Sequence, residues 1–265
     1  MKCEEIKKLT DAALAELIQA LEHGKSDALR KYLATMARFH RYSWGNILLI
    51  ATQRPEAKRV AGFHTWLTLN RHVKKGEKGI VIIAPMVVRK KETAVAEDEQ
   101  TRLYGFRSAY VFDISQTDGD SLPEFAQVQG EPGQFTGRLK ELAASRGITI
   151  EFSAEIGAAS GMSMGGKIIL RPDLSPAEEF AVLVHELAHE RLHHGQRRGE
   201  TSKCVRETEA EAVAFVVSQA IGLDTNTAAA DYIQLYRGDK TALVDSLEFI
   251  QSTASEILAF LSPGD

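Results

Sequence analysis

Residues 175–194 read SPAEEFAVLVHELAHERLHH, and this stretch decides the fold of the second half of the chain. Ser175 suits the cap position of a helix, Pro176 the first helical position, and Glu178 the reciprocal carboxylate of a capping box. Apolar residues follow at helical spacing, namely Phe180, Leu183, Val184, Leu187 and Ala188. The sequence therefore predicts an amphipathic helix over residues 175–194.

Two histidines on this helix are placed to bind one metal ion. His185 and His189 are four residues apart, so their imidazoles project from the same helical face. A hydrolytic zinc site takes three protein ligands and keeps a fourth position for water, whose proton a nearby carboxylate accepts. Glu186 lies one step around the helix from His185, where it reaches that water without being a ligand. We therefore expect Zn²⁺ as the cofactor and Glu186 as the general base.

The third ligand has to come from another element, and the next predicted helix offers acidic residues. Glu207 and Glu211 share a helical face, whereas Glu209 points away from it. We assign Glu207 as the third ligand and Glu211 as the carboxylate that orients a ligating imidazole. The reverse assignment of these two residues stays open, because spacing alone does not separate them.

Two further histidines follow the motif on the same predicted helix. His193 and His194 are interpreted as residues at the helix end or on the rim of the site. No residue that stabilises the developing oxyanion is assigned, and the candidates are Tyr232, Tyr236 and these two histidines.

The charge of the chain is unevenly distributed. Residues 25–91 hold 15 lysines and arginines against three acids, which leaves +12 there and −16 in the rest of a chain of formal net charge −4. Such a division favours an anionic partner for the basic segment. A lysine-rich solvated face is the alternative.

Aromatic residues are interleaved with these positive charges, and they include both tryptophans of the chain. Lysine and arginine neutralise phosphates, while aromatic rings stack on unpaired bases. Single-stranded DNA is therefore a candidate partner, although the same aromatic residues could simply form a core. The predicted contact residues are Arg38, Arg41, Trp44, Arg59, Trp66, Arg71, Lys74, Lys75 and Lys78.

Hydrophobic periodicity divides the chain into two parts. Helices are predicted over about 9–23, 26–36 and 43–53, followed by paired strands over 79–85 and 103–114. After turn-rich residues come a helix near 137–144, strands over 148–152 and 166–170, and helices over 201–221, 225–236 and 240–261. We predict an α+β protein with a small nucleic-acid-binding domain (1–118), a linker (119–134) and a mostly helical zincin-like domain with a small sheet (135–265).

Composition adds an expectation about location. Only two cysteines are present, the first residues lack the pattern of a signal peptide, and no apolar run is long enough to span a membrane. We therefore expect a bacterial cytoplasmic protein without a membrane partner.

Several motifs resemble known families. Residues 42–50 (YSWGNILLI), 62–66 (GFHTW), 73–80 (VKKGEKGI) and 112–117 (FDISQT) resemble the N-terminal domain of ArdC-type antirestriction proteins. The second half, from Val184–His189 through Glu207–Ala212, is similar to the ImmA/IrrE-like zinc peptidases, and the ArdC family joins two such domains.

This resemblance implies a domain that binds single-stranded DNA, a zinc metallopeptidase domain and a role on bacterial mobile elements such as plasmids. The implied partners are single-stranded DNA, a protein or peptide substrate, and possible components of restriction enzymes. It also implies that the strand around residues 166–170 is the sheet edge that pairs with a substrate peptide. Two alternatives remain: a non-proteolytic DNA-binding or DNA-mimicking restriction inhibitor with a structural zinc, and a regulatory peptidase that cleaves a repressor.

Overall fold

The computed structural model describes residues 3–23, 26–89, 101–121, 132–157, 159–223 and 239–262. The chain forms two compact units. Unit 1 consists of Met1–Glu16 and Gly45–Pro123, and unit 2 of Leu17–Trp44 and Glu124–Asp265. The predicted helix over 225–236 and most of the predicted linker lie outside the described residues.

The secondary structure is mixed α and β. The helices are α1 (Cys3–Glu22), α2 (Ser26–Phe39), α3 (Trp44–Gln53), α4 (Phe63–Thr68), α5 (Gln134–Ser145), α6 (Pro176–Leu192), α7 (Gly195–Glu200), α8 (Lys203–Ala220) and α9 (Lys240–Leu261). The strands are β1 (Val60–Gly62), β2 (Arg71–Val73), β3 (Ile80–Arg89), β4 (Thr101–Asp113), β5 (Thr117–Gly119), β6 (Thr149–Phe152), β7 (Gly161–Ser163) and β8 (Lys167–Leu170). No helix in the described part of the chain is long and apolar enough to cross a membrane.

Unit 1 is built around a long antiparallel pair. Strands β3 and β4 pair from Ile80↔Val111 to Arg89↔Thr101, and β1 adds to the other side of β4. Helix α3 is joined to β3 by side-chain amides: Asn46 exchanges two hydrogen bonds of 2.8 Å with the backbone of Ile83, and Gln53 likewise binds Val81. These amides satisfy backbone groups of β3 that would otherwise lack partners, which explains the polar residues in an apolar helix.

Unit 2 contains a three-stranded sheet packed on helices. Helix α6 contacts β7, β8, α5 and α8, and α8 also contacts α2 and α9. The predicted capping box of α6 is confirmed, since Ser175 accepts from the backbone of Glu178 and the Glu178 carboxylate accepts from the backbone of Ser175. These contacts fix the two helices that carry the predicted metal ligands.

The order of this sheet corrects one expectation. The strands lie in the order β6-β8-β7 within the described residues, with β8 parallel to β6 and antiparallel to β7. The segment 166–170, expected to be an edge, is therefore the centre of the sheet because both of its neighbours are occupied. The edge that lies against α6 is β7.

The division into units also differs from the predicted boundaries of 1–118 and 135–265. Residues 17–44 belong to unit 2, because α2 packs on α8 and the Gln251 side chain donates to the backbone oxygen of His40 at 2.7 Å. Sequence order suggested a continuous first domain, but the buried face of α2 finds its apolar partner in the second half.

Candidate metal centre

The predicted ligands come together on two packed helices. Helix α6 presents His185 and His189, whose Nε2 atoms are 3.0 Å apart. Helix α8 presents Glu207, whose Oε2 lies 3.6 Å from His185 Nε2 and 3.5 Å from His189 Nε2. One donor atom of each residue thus lies within 4.8 Å of the others.

The donor set fits a divalent ion. Nitrogen and oxygen ligands at about 2.0–2.1 Å from a tetrahedral ion are about 3.3 Å from each other, close to the separations of 3.0–3.6 Å seen here. The Glu207 side chain is 51% exposed, whereas the two histidines are largely buried. The cluster therefore lies at the bottom of an accessible cleft rather than inside a closed core.

Glu211 lies behind the first imidazole. Its Oε2 is 3.5 Å from His185 Nδ1, on the side of the ring that faces away from the Nε2 cluster. This placement favours Glu207 as the third ligand and Glu211 as the group that orients His185, because a carboxylate on Nδ1 fixes the ring and its tautomer.

The charges of the cluster favour a cation. Burial lowers the pKa of His185, but hydrogen bonds with the Glu207 and Glu211 carboxylates raise it to about 9. The hydrogen bond with His185 in turn lowers the pKa of Glu207 to about 2. Burial and the neighbouring charge of His185 lower the pKa of His189 to about 4. The cluster thus stabilises one added positive charge, and the same carboxylates can stabilise a metal ion in its place.

Glu186 borders the same cleft. Burial raises the pKa of its carboxyl group, which makes it a better proton acceptor. Strand β7 approaches it so closely that a Cβ on Gly161 would lie 2.9 Å from Glu186 Oε1 and 2.6 Å from Val182. The close approach of β7 to α6 therefore requires a glycine at position 161, because any side chain there would collide with Val182 and Glu186.

The cleft encloses a cavity of about 350 Å³. His185, Glu186, Glu207 and Glu211 form its polar side, and its apolar side consists of Ala181, Val182, Ala214 and Phe215. An apolar group can thus be bound next to the donor cluster.

His193 lies at the end of α6, as predicted, where it is the C-terminal cap residue, but it does not lie on an exposed rim. It is 1% exposed, its Nδ1 lies 2.9 Å from His189 Nδ1, and its Nε2 lies 2.9 Å from Glu209 Oε2. The four-residue spacing from His189 to His193 was the signal that could have identified it. His194 is exposed and lies 3.1 Å from Glu190, while Tyr232 and Tyr236 lie outside the described residues.

Two predicted DNA contacts are wrong. Trp66 is fully buried, and its indole N–H donates to the Phe112 carbonyl at 2.9 Å. Arg71 is buried, and its guanidinium donates to Thr117, to the Gly119 carbonyl and to the Asp120 carbonyl. Both side chains hold unit 1 together and are not accessible to a nucleic acid.

The remaining predicted contacts are divided between the units. Arg38, Arg41 and Trp44 belong to unit 2, whereas the others belong to unit 1. Those in unit 1 are the half-buried Arg59 and the exposed Lys74, Lys75 and Lys78. Lys74 lies 3.5 Å from Asp118, so Lys75 and Lys78 are the better candidates for phosphate contacts in this unit.

Exposed aromatic residues of unit 1 were missed. Phe106 and Tyr110 are 52% and 49% exposed, and they lie on one face of β4 because they are four residues apart in a strand. Gly79 leaves room for Tyr110, since a Cβ there would lie 3.0 Å from Tyr110 Cβ, and this glycine follows Lys78 directly. Alternation along the predicted strand could have indicated this surface, which we call the β4 aromatic face.

The chain thus combines a small α+β unit with a helical unit whose His-His-Glu cluster suits a divalent metal. These features define it as a two-unit α+β protein with a candidate metal centre. Residues 6–112 match the family described as the N-terminal domain of anti-restriction factor ArdC. Residues 6–112 therefore form an ArdC-type N-terminal domain, as the motifs in that segment predicted.

Solved structures and a curated relative extend the comparison. Antirestriction protein ArdC from plasmid R388 is similar in its metal-free structure (17% identity, 96% of this chain and 97% of that chain, TM-score 0.57). It is also similar in its Mn(II)-bound structure (19%, 97% and 99%, TM-score 0.55). At these identities the likeness shows the fold alone. The uncharacterized protein pXO2-81 of Bacillus anthracis is 28% identical over 87% of this chain, which spans 46% of that relative's length.

Proposed function

We propose that the chain is an antirestriction protein in which unit 2 is a zinc-dependent, zincin-like endopeptidase and unit 1 binds single-stranded DNA. The observation that carries the enzymatic part is the convergence of His185 Nε2, His189 Nε2 and Glu207 Oε2 beside the buried Glu186. Two helical histidines four residues apart, with a glutamate directly after the first, are the zinc-binding arrangement of a class of metalloproteases in which that glutamate is the general base.

Each residue then has a distinct role. His185, His189 and Glu207 hold the ion, which when bound polarises a substrate carbonyl and activates water. The Glu186 carboxylate accepts a proton from the attacking water and delivers it to the leaving amide nitrogen. Two imidazoles with one carboxylate favour zinc over manganese, because imidazole suits zinc and affinities rise from Mn²⁺ towards Zn²⁺. The Mn(II) of the R388 structure is consistent with a divalent ion in this family.

An extended peptide fits the edge at β7. Gly161 of this strand lies against Glu186, and its neighbour Met162 is 39% exposed. Backbone pairing at such an edge would place a scissile bond near the donor cluster. The apolar side of the cavity, with Ala214 and Phe215, would accept an apolar side chain of the substrate.

Binding of single-stranded DNA rests on the β4 aromatic face together with Lys75 and Lys78. Exposed rings stack on bases without sequence preference, and lysines neutralise the backbone. The family description of residues 6–112, most of which belong to unit 1, supports an antirestriction role.

Metal content tests the centre. Mass spectrometry on purified protein should find about one zinc ion per wild-type chain, and His185→Ala and Glu207→Ala should lose it. Glu248→Ala, an exposed position on α9, is the matched control. Equal zinc in all four proteins would refute the centre.

Peptidase activity needs a separate test. Glu186→Gln should keep the metal and lose about 10²–10⁴-fold in hydrolysis, so cells with active protein should contain new protein N-termini that cells with Glu186→Gln lack. If antirestriction survives Glu186→Gln but is lost when Lys74, Lys75 and Lys78 are reversed in charge, the chain is a non-proteolytic inhibitor.

A further inference from the structure

Behind the second imidazole lies a buried polar chain that the proposed mechanism does not use. His189 Nδ1 is 2.9 Å from His193 Nδ1, and His193 Nε2 is 2.9 Å from Glu209 Oε2. His193 is 1% exposed and Glu209 is fully buried. Burial of polar groups is tolerated only when they are hydrogen-bonded, so each proton in this chain must have an acceptor.

Glu209 is held from two other elements. Its Oε1 accepts from the Arg197 guanidinium at 2.7 Å and from the Ser246 hydroxyl at 2.7 Å. Arg197 follows α6 on α7 and also lies 3.8 Å above the Phe249 ring, while Ser246 is on α9. The carboxylate is thus charged, paired and fixed in position, as an anchor for His193 requires.

For neutral imidazoles, one arrangement of protons satisfies every contact. The charged Glu209 accepts, so His193 Nε2 carries the hydrogen and His193 Nδ1 is left as an acceptor. His189 Nδ1 must then donate to it, which leaves the lone pair on His189 Nε2. This is the atom that lies 3.0 Å from His185 Nε2 in the donor cluster.

We propose that His193 and Glu209 are positioning residues, which fix His189 in the tautomer and ring orientation that present Nε2 to the metal. The inference rests on the proposed metal centre. His193 is not itself a ligand, because both of its ring nitrogens have other partners. Its Nδ1 faces His189 Nδ1, and its Nε2 is hydrogen-bonded to Glu209 Oε2. The two ligand histidines are therefore held differently, since His185 meets the Glu211 carboxylate directly at 3.5 Å.

The test compares metal affinities rather than activity. The Zn²⁺ affinity of full-length protein is measured by competition with a chromogenic chelator at fixed pH. His193→Phe fills the site but removes both hydrogen bonds, and should weaken binding by about 10–100-fold. His193→Gln can accept from His189 and donate to Glu209, so it should stay within about tenfold of the wild type. The matched control is His194→Phe at the adjacent exposed position, which should bind as the wild type does.

A spectroscopic measurement separates positioning from general destabilisation. The absorption spectrum of the Co²⁺-loaded protein reports the ligand field, and it should change in His193→Phe and be retained in His193→Gln. Wild-type affinity and spectrum in His193→Phe would overturn the inference. If that variant does not fold, His193→Asn, which is too short to bridge both partners, should give the same loss, and wild-type affinity in it would equally overturn the inference.

The Zn²⁺ affinity of His185→Ala distinguishes an error in the proposed metal centre from an error in the positioning role alone. If His185→Ala binds Zn²⁺ as tightly as the wild type, the proposed metal centre is wrong and the positioning role falls with it. If His185→Ala abolishes binding while His193→Phe does not weaken it, only the positioning role is wrong.

Discussion

Asp113 is a buried carboxylate that organises the end of β4. It is 2% exposed and accepts from the backbone of Lys58, Arg59 and Ser115 and from the Ser115 hydroxyl. Asp113→Ala leaves these donors without an acceptor, so we expect unit 1 to lose about 2–4 kcal/mol in free energy of unfolding. Denaturant titration followed by tryptophan fluorescence in a Trp44→Phe background measures this, because the remaining tryptophan is the buried Trp66 of unit 1. Asp118→Asn, at an exposed position, is the control and should change stability by less than about 0.5 kcal/mol.

The same residue predicts how stability depends on pH. Burial raises the pKa of Asp113, but the hydrogen bonds from Ser115, Arg59 and Lys58 outweigh it and hold the pKa below its ordinary value. The stabilisation is therefore complete above the unfolded pKa of about 3.9 and is lost as the pH falls through the lower folded pKa. Asp113→Asn should flatten the acid limb of the stability curve of unit 1. An unchanged acid limb would contradict this.

Gly161 leads to a third prediction about a single residue. In Gly161→Ala the new methyl group would overlap Val182 and Glu186, so it should destabilise unit 2 by about 1–3 kcal/mol. Displacement of the Glu186 carboxylate should also lower peptide hydrolysis while metal content stays at the wild-type value. Thermal unfolding, metal analysis and hydrolysis assays measure the three effects. Gly137→Ala is the control, because nothing lies within 4 Å of that position on α5 and alanine favours a helix.

The β4 aromatic face should contribute to the affinity of the protein for single-stranded DNA. Phe106→Ala and Tyr110→Ala should each cost about 1–3 kcal/mol in affinity for a labelled oligothymidine, the usual value of one stacked base. Fluorescence anisotropy measures this, and Phe152→Ala provides an equally exposed phenylalanine in unit 2 as the control. Equal affinities in all three variants would show that DNA does not stack on β4.

How far the sequence predicts these elements depends on whether the signal is local. The capping box of α6, the strands β3 and β4 and the helix α9 are set by neighbouring residues, and all were predicted. Short strands such as β2 were missed because their pairing depends on distant partners, here β5. Among site residues, the spacing of His185 and His189 indicated a shared face, whereas the burial of His193 depends on Glu209 from another helix. Trp66 and Arg71 were misassigned because composition does not reveal burial.

The assignment of residues 17–44 to unit 2 leads to a prediction about the stability of that unit. Helix α2 buries Leu29, Leu33 and Met36 completely and contacts α8, which carries Glu207. Each of these side chains stabilises the packed state by about 1.5–3 kcal/mol. A fragment of residues 124–265 should therefore melt at a lower temperature than unit 2 of the full chain and should bind Zn²⁺ more weakly.

Adding a synthetic peptide of residues 17–44 should restore both properties, because it supplies the missing apolar face of α8. Circular dichroism at 222 nm and chelator competition measure the recovery. The same peptide with Leu33→Asp should fail, since it would bury an unpaired charge where Leu33 is fully buried. If the fragment alone, without added peptide, melts and binds Zn²⁺ as the full chain does, residues 17–44 are dispensable to unit 2. Helices α6 and α8 would then be held by each other, by α5 and α9, and by the strands β7 and β8.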